Sequence, residues 1–217
     1  MTIRKHEDRL FARLHQKYDF IVSDGMLDES RYANTEPRIL FILKEANDPE
    51  PTQSWDLRWH LQNRQITGTY VGIARWIYGM NNLDRDVPWE EVHGLGNEQM
   101  KQQLVTAAVM NVKKTPGKAT SKEAELKAWA VDNADTLRAQ FNLYEPDIVI
   151  CCGYSTSRVA QAAKIIEPAE KKRTSRGVWT MKTTAGTQWI TFHHPEAHVP
   201  DHLLYYGLID AVKEILR

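Results

Sequence analysis

ILFILKEANDPE, residues 39–50, is the stretch on which the fold turns. Five apolar residues, Ile39 to Leu43, run without interruption and stop at Lys44 and Glu45. A strand that alternates polar and apolar residues has one wet face, whereas one that is apolar throughout is covered on both. The run is short for a buried helix, and Asn47-Asp48-Pro49 after it is turn chemistry. It therefore predicts a central strand with a polar turn at its carboxyl end.

Three more apolar runs share this character, at 104–112, 148–152 and 189–192, and a weaker one at 178–183 suits an edge. Helical spacing fills the gaps. Leu10, Phe11, Leu14 and Tyr18 mark an amphipathic helix, and Trp76, Ile77 and Met80 mark another after Thr69. Leu126, Trp129, Ala130, Leu137 and Phe141 fit one long helix after Ser121. Ser155 is placed to cap a helix through Ile165, and Asp201 stands near the start of a terminal one. The alternation predicts an α/β fold of three layers, with helices on both faces of a central, mainly parallel four-stranded sheet. Ligands of such sheets bind beyond the carboxyl ends of the strands.

Composition narrows the function classes. The 28 Lys and Arg balance 28 Asp and Glu, so net basicity does not mark a nucleic-acid binder, although a local basic face stays open. The two cysteines, Cys151 and Cys152, are adjacent within an apolar run, which fits buried thiols in a reducing compartment. The opening MTIRKHEDRLFARLHQ lacks the apolar stretch of a signal peptide, and no window approaches a membrane span. These features predict a single cytoplasmic domain without membrane contact.

The polar residues of interest follow the strands. Glu45 and Asp48 leave the first directly, where a carboxylate can orient water or stabilise a developing cation; a plain turn is the competing reading. Asn111 ends the second, and its amide can both donate to and accept from the edge of a nucleobase. Lys113, Lys114 and Lys118 follow among Thr, Gly and Ser, a mixture suited to phosphates or to a solvated loop. Tyr70, flanked by glycines at 68 and 72, can stack on a planar ligand or simply join the core. Lys171, Lys172, Arg173 and Arg176 form a second basic cluster, of the kind that is usually solvated. CCGYSTSR, 151–158, lacks the second glycine of a nucleophile elbow, which weakens an esterase reading of Ser155. His193, His194, His198 and His202 are close in sequence, but Pro195 disfavours the helix that would pair His194 with His198 on a metal.

Taken together these segments resemble the uracil-DNA glycosylase superfamily, chiefly its short bacterial and archaeal branches. KEAND, 44–48, stands where that family has a G-E-A-P-G-like turn, so Glu45 matches the acidic position while both glycines are lost. Thr69-Tyr70-Val71-Gly72 is similar to its P-F-V-G-like segment, and Asn111-Val112-Lys113-Lys114 to its N-V-V-K signature. IVICCGYSTS, 148–157, is similar to its V-I-V-A-L-G-A-x-A strand end, and His194-Pro195-Glu196 to its H-P-S or H-P-A motif. The order holds from about residue 38 onward. Residues 1–217 then form one glycosylase-like domain, with 1–35 a helical extension packed on it.

The resemblance implies cleavage of the bond between a flipped base and deoxyribose in single- or double-stranded DNA. Tyr70 would stack on the base and Asn111 bond its edge. Glu45 or Asp48 would face the sugar cation, and His194 would donate to the base oxygen. Lys113, Lys114, Lys118 and His198 would approach the DNA strand. The family's iron–sulfur branches carry four cysteines that this chain lacks, so no cofactor is expected. Lys44 and Glu196 replace small residues, which points to a modified base or to a nucleic-acid-binding module that has lost its chemistry. Repair and defence against modified foreign DNA both suit the former.

Overall fold

The computed structural model describes residues 2–165 and 169–217. Along the chain run α1 (Ile3–His15), β1 (Val22–Ser23), β2 (Gly25–Met26), α2 (Glu29–Ala33), β3 (Ile39–Leu43), β4 (Trp55–Asp56), α3 (Leu57–Asn63), α4 (Thr69–Met80), α5 (Trp89–His93) and α6 (Asn97–Leu104). Then come β5 (Ala107–Asn111), α7 (Glu123–Asp132), α8 (Ala134–Tyr144), β6 (Ile148–Cys152), α9 (Tyr154–Ala162), β7 (Lys171–Arg173), β8 (Trp179–Lys182), β9 (Gln188–Phe192) and α10 (Asp201–Ile215).

The sheet is mixed and has seven strands, in the order β2-β5-β3-β6-β9-β8-β7. This corrects the expected four-stranded sheet. The four long apolar strands, β5, β3, β6 and β9, are indeed mutually parallel at its centre. Antiparallel β2 borders β5, and antiparallel β8 and β7 extend the β9 side. The added edges escape a hydrophobic pattern for physical reasons. β2 has two residues, and β7 is Lys-Lys-Arg, fully exposed, a charged strand of the kind that blunts a sheet edge. Val178 and its neighbours consequently lie inside that edge rather than on it.

Residues of β3 alternate between two hydrophobic clusters. Ile39, Phe41 and Leu43 pack with residues of α3, α4, α6 and α10, while Leu40 and Ile42 pack with α1, α7, α8 and α9. Helices thus cover both faces, which is why all five residues of β3 are buried. The first 35 residues add more than a helix: β2 joins the main sheet, and β1 pairs with β4.

Two helices differ from expectation. The long helix after Ser121 breaks at Asn133, whose side-chain amide donates to the Trp129 carbonyl at 2.7 Å and to the Tyr18 hydroxyl at 2.8 Å. Such local bonding competes with the helical ladder, and Asn133 takes φ −117°, ψ 22° at the joint. The helix after β6 starts at Tyr154, so Ser155 lies within its first turn instead of capping it. The preceding Gly153 has φ 109°, a conformation open to glycine.

Candidate functional site

The β3–β5 ladder continues past the strand ends and builds the floor of the site. Val112 N–H donates to Leu43 O, Lys113 N–H to Lys44 O, Gly117 N–H to Ala46 O and Asp48 N–H to Gly117 O. KEAND and NVKKTPG are thereby zipped together. A Cβ on Gly117 would collide with the Glu45 carboxylate, so glycine permits this approach. Glu45 forms an ion pair with Lys113. Asp48 accepts the Trp55 indole N–H at 3.1 Å.

Behind Asn111 lies a wall of buried charge. Asp24, from the turn before β2, accepts the Asn111 backbone N–H at 2.7 Å and its side-chain amide at 3.1 Å. The same carboxylate accepts the Lys114 ammonium at 2.6 and 2.8 Å and the Gln140 amide at 2.8 Å. Asp24 and Lys114 are both 0% exposed. Lys114 is therefore no phosphate contact, which corrects the sequence reading: its ammonium is spent on Asp24 and lies 5.6 Å from the Phe11 ring centre. Burial lowers the Lys114 pKa, with Asp24 opposing.

The wall extends through Tyr144, whose hydroxyl donates to Glu7 at 2.6 Å, and Glu7 accepts Arg58 at 2.6 Å. Burial raises the Glu7 carboxyl to about 7 despite the Arg58 cation, which Glu7 shares with Asp56. Desolvation outweighs that divided attraction.

The loop after β9 supplies the opposite side. The Glu196 backbone N–H points at His194 Nδ1 at 3.2 Å. An accepting Nδ1 puts the ring proton on Nε2 and leaves a neutral N–H donor. Burial lowers the His194 pKa, Glu196 opposes, and nearby Lys44 adds to the lowering. The Thr69 hydroxyl donates to the Glu196 carboxylate at 2.5 Å, which clasps the loop to the first turn of α4. Pro195 presses on Gly72, where a Cβ would come within 2.8 Å of the proline ring.

Between these walls opens a cleft of about 640 Å³, lined by Glu45, Tyr70, Asn111, Lys118, His194 and Glu196. Tyr70 is partly buried against the core, and burial raises its phenol well above the ordinary range. Lys44, Trp55 and His60 also line the cleft, and of these Trp55 and His60 were not singled out by sequence. Asp48 and Lys113 instead face an adjoining depression of about 250 Å³, which shares Glu45 and Lys118 with the cleft. His198 is exposed and lines neither space.

The remaining histidines disperse. His193 meets Phe192 and Tyr154 edge-on at 5.4 and 5.9 Å, and His202 meets Trp89 at 6.0 Å. Among the described residues no three His, Cys, Asp or Glu side chains are grouped to hold a metal ion. No helix there is long and apolar enough to cross a membrane. Asp24 is the functional neighbour that sequence reasoning missed, because Ser-Asp-Gly at 23–25 looks like an ordinary turn. No protein-family model matches the chain, and no curated protein matches it.

Proposed function

We propose that the cleft is the base-excision site of a DNA glycosylase-like enzyme. It hydrolyses the N-glycosidic bond of a flipped uracil-like or modified base and leaves an abasic site. The observation that carries this reading is convergence: Glu45, Tyr70, Asn111 and His194, from four separate segments, line one cleft. The fold it implies is a three-layer α/β/α domain.

Each side chain has a role set by its surroundings. The Tyr70 ring offers a stacking face. Asp24 occupies one N–H of the Asn111 amide, leaving its carbonyl and second N–H to read the base edge. As the bond breaks, negative charge grows on the base and positive charge on the sugar. The neutral His194 Nε2–H donates to the base oxygen, and the Glu45 carboxylate faces the sugar cation. Lys44 and Lys118 hold phosphate oxygens, so affinity falls as salt rises.

One observation favours a second reading, a nucleic-acid-binding module without chemistry. Glu45 is already paired with Lys113, which offsets the charge available to a sugar cation. A panel of oligonucleotides carrying uracil, hypoxanthine, thymine mismatches and hydroxymethylated or glucosylated cytosine separates the two. Alkali cuts the strand wherever an abasic site forms. The expected result is abasic product from at least one base, reduced roughly 100-fold or more by His194→Ala and strongly by Asn111→Ala. DNA binding with no abasic product from any strand overturns the enzyme reading in favour of the module.

A further inference from the structure

A second groove, of about 270 Å³, lies between α9 and the antiparallel strands β7 and β8. Its lining includes three aromatic residues, Tyr154, Trp179 and Trp189, and two cations, Arg158 and Lys171. The Arg173 guanidinium sits over the Trp179 ring at 4.3 Å. All three residues of Lys171–Arg173 are exposed. Arg158 pairs with Glu123 at the rim. Trp189 is 1% exposed, and its indole N–H has no hydrogen-bond partner among the described residues. A buried donor without an acceptor is uncommon and marks a wall that lacks a polar partner.

The groove lies beside the cleft, with no lining residue in common. Tyr154, 44% exposed, touches His193, the neighbour of cleft-lining His194. Lys44 from the cleft approaches Gly153, the residue before Tyr154, its Cε 3.8 Å from where a Cβ would stand. The aromatic and cationic residues of the groove, with Arg173 over Trp179 at its edge strand, thus stand next to the Lys44 and His194 side of the cleft.

We propose that this groove binds a single-stranded DNA flank of the strand whose base enters the cleft. One base stacks against Trp179 beside Tyr154, and Lys171 and Arg173 meet its phosphates. Aromatic planes with interleaved cations suit single strands because every base offers a π-face and every phosphate a charge. An acidic peptide would use the cations but leave the aromatic planes without a matching partner. The inference rests on the glycosylase-like reading of the cleft.

The test is fluorescence anisotropy with an unmodified fluorescein-labelled oligothymidylate of about 12 nucleotides, within the span single-strand sites cover. Trp179→Ala is expected to weaken binding roughly tenfold, and Trp179→Phe to retain most of it, at unchanged melting temperature. Should Trp179→Ala not fold, Tyr154→Ala, at an exposed position, is expected to weaken binding severalfold. Lys171→Glu is expected to weaken binding and flatten its salt dependence. Equal affinity in wild type and the aromatic variants overturns the proposal, as does tighter binding of a polyglutamate peptide than of the oligonucleotide. Because this oligonucleotide carries no damaged base, the two readings fail separately. Trp179-dependent binding without abasic product from the base panel removes the enzyme and keeps the groove. Abasic product with Trp179-independent binding removes the groove alone.

Discussion

Asn111 and His194 face one cleft and are held in opposite ways. Asn111 ends a buried strand and is tied twice to Asp24, a carboxylate that also binds Lys114 and Gln140. Every partner in that wall is buried, so moving any one leaves an unpaired polar group in a dry interior. His194 stands on a loop held by a backbone N–H at its ring, the Ala197 N–H at its carbonyl, Pro195 packed on Gly72 and an exposed bond from the Thr69 hydroxyl to Glu196. Bonds open to water exchange for water at little cost. The wall holds Asn111 fixed, whereas the loop is the side of the cleft that can yield.

The sharpest way to break this contrast is Asp24→Asn. It strands the Lys114 ammonium in the core, and removing one partner of a buried pair costs about 3–5 kcal/mol. Urea unfolding is expected to show a loss of that size, or no folded protein. Adding Lys114→Met is expected to restore part of it, because the stranded charge goes too. A loss below about 1 kcal/mol in the single variant would mean the wall does not anchor the fold.

Glu7 gives the next largest effect, through pH. Its carboxyl stays protonated to about 7 in the folded protein but ionises near 4.5 when unfolded. Between those values the folded state binds the extra proton, so this group makes stability fall as pH rises. At about 1.4 kcal/mol per unit, the drop from pH 4 to pH 8 is on the order of 3 kcal/mol. Glu7→Gln is expected to flatten that slope, measured as urea midpoints across the range. An identical slope in wild type and variant would show that the Arg58 cation keeps Glu7 ionised throughout.

The same contrast explains what the sequence disclosed. The parallel centre was legible because β3 and β6 are unbroken apolar runs, a pattern that only double burial requires. The loop residues were legible because KEAND, TYVG and HPE carry their chemistry locally. The wall was not. Asp24 and Lys114 are 90 positions apart, and each looks like surface when read with its neighbours. Pairing across such a distance leaves no periodicity, so Lys114 read as a phosphate contact beside Lys113 and Lys118. The break at Asn133 was hidden for a related reason: its partner Tyr18 is 115 residues away.

The smallest effect belongs to Glu196, and it tests the yielding side alone. Glu196→Ala removes the bond from Thr69 and a carboxylate near the first turn of α4. An exposed bond of this kind contributes about 0.5–1 kcal/mol, so the global midpoint should barely move. Local opening should change more, because the clasp joins the His194 loop to α4. Amide hydrogen exchange at Tyr70 and Val71, whose N–H groups donate to the Thr67 and Gly68 carbonyls, is expected to quicken severalfold while the Asn111 amide, held by Asp24, keeps its protection. Equal acceleration at both places would join loop and wall into one cooperative unit, and the cleft would then have no side free to adjust.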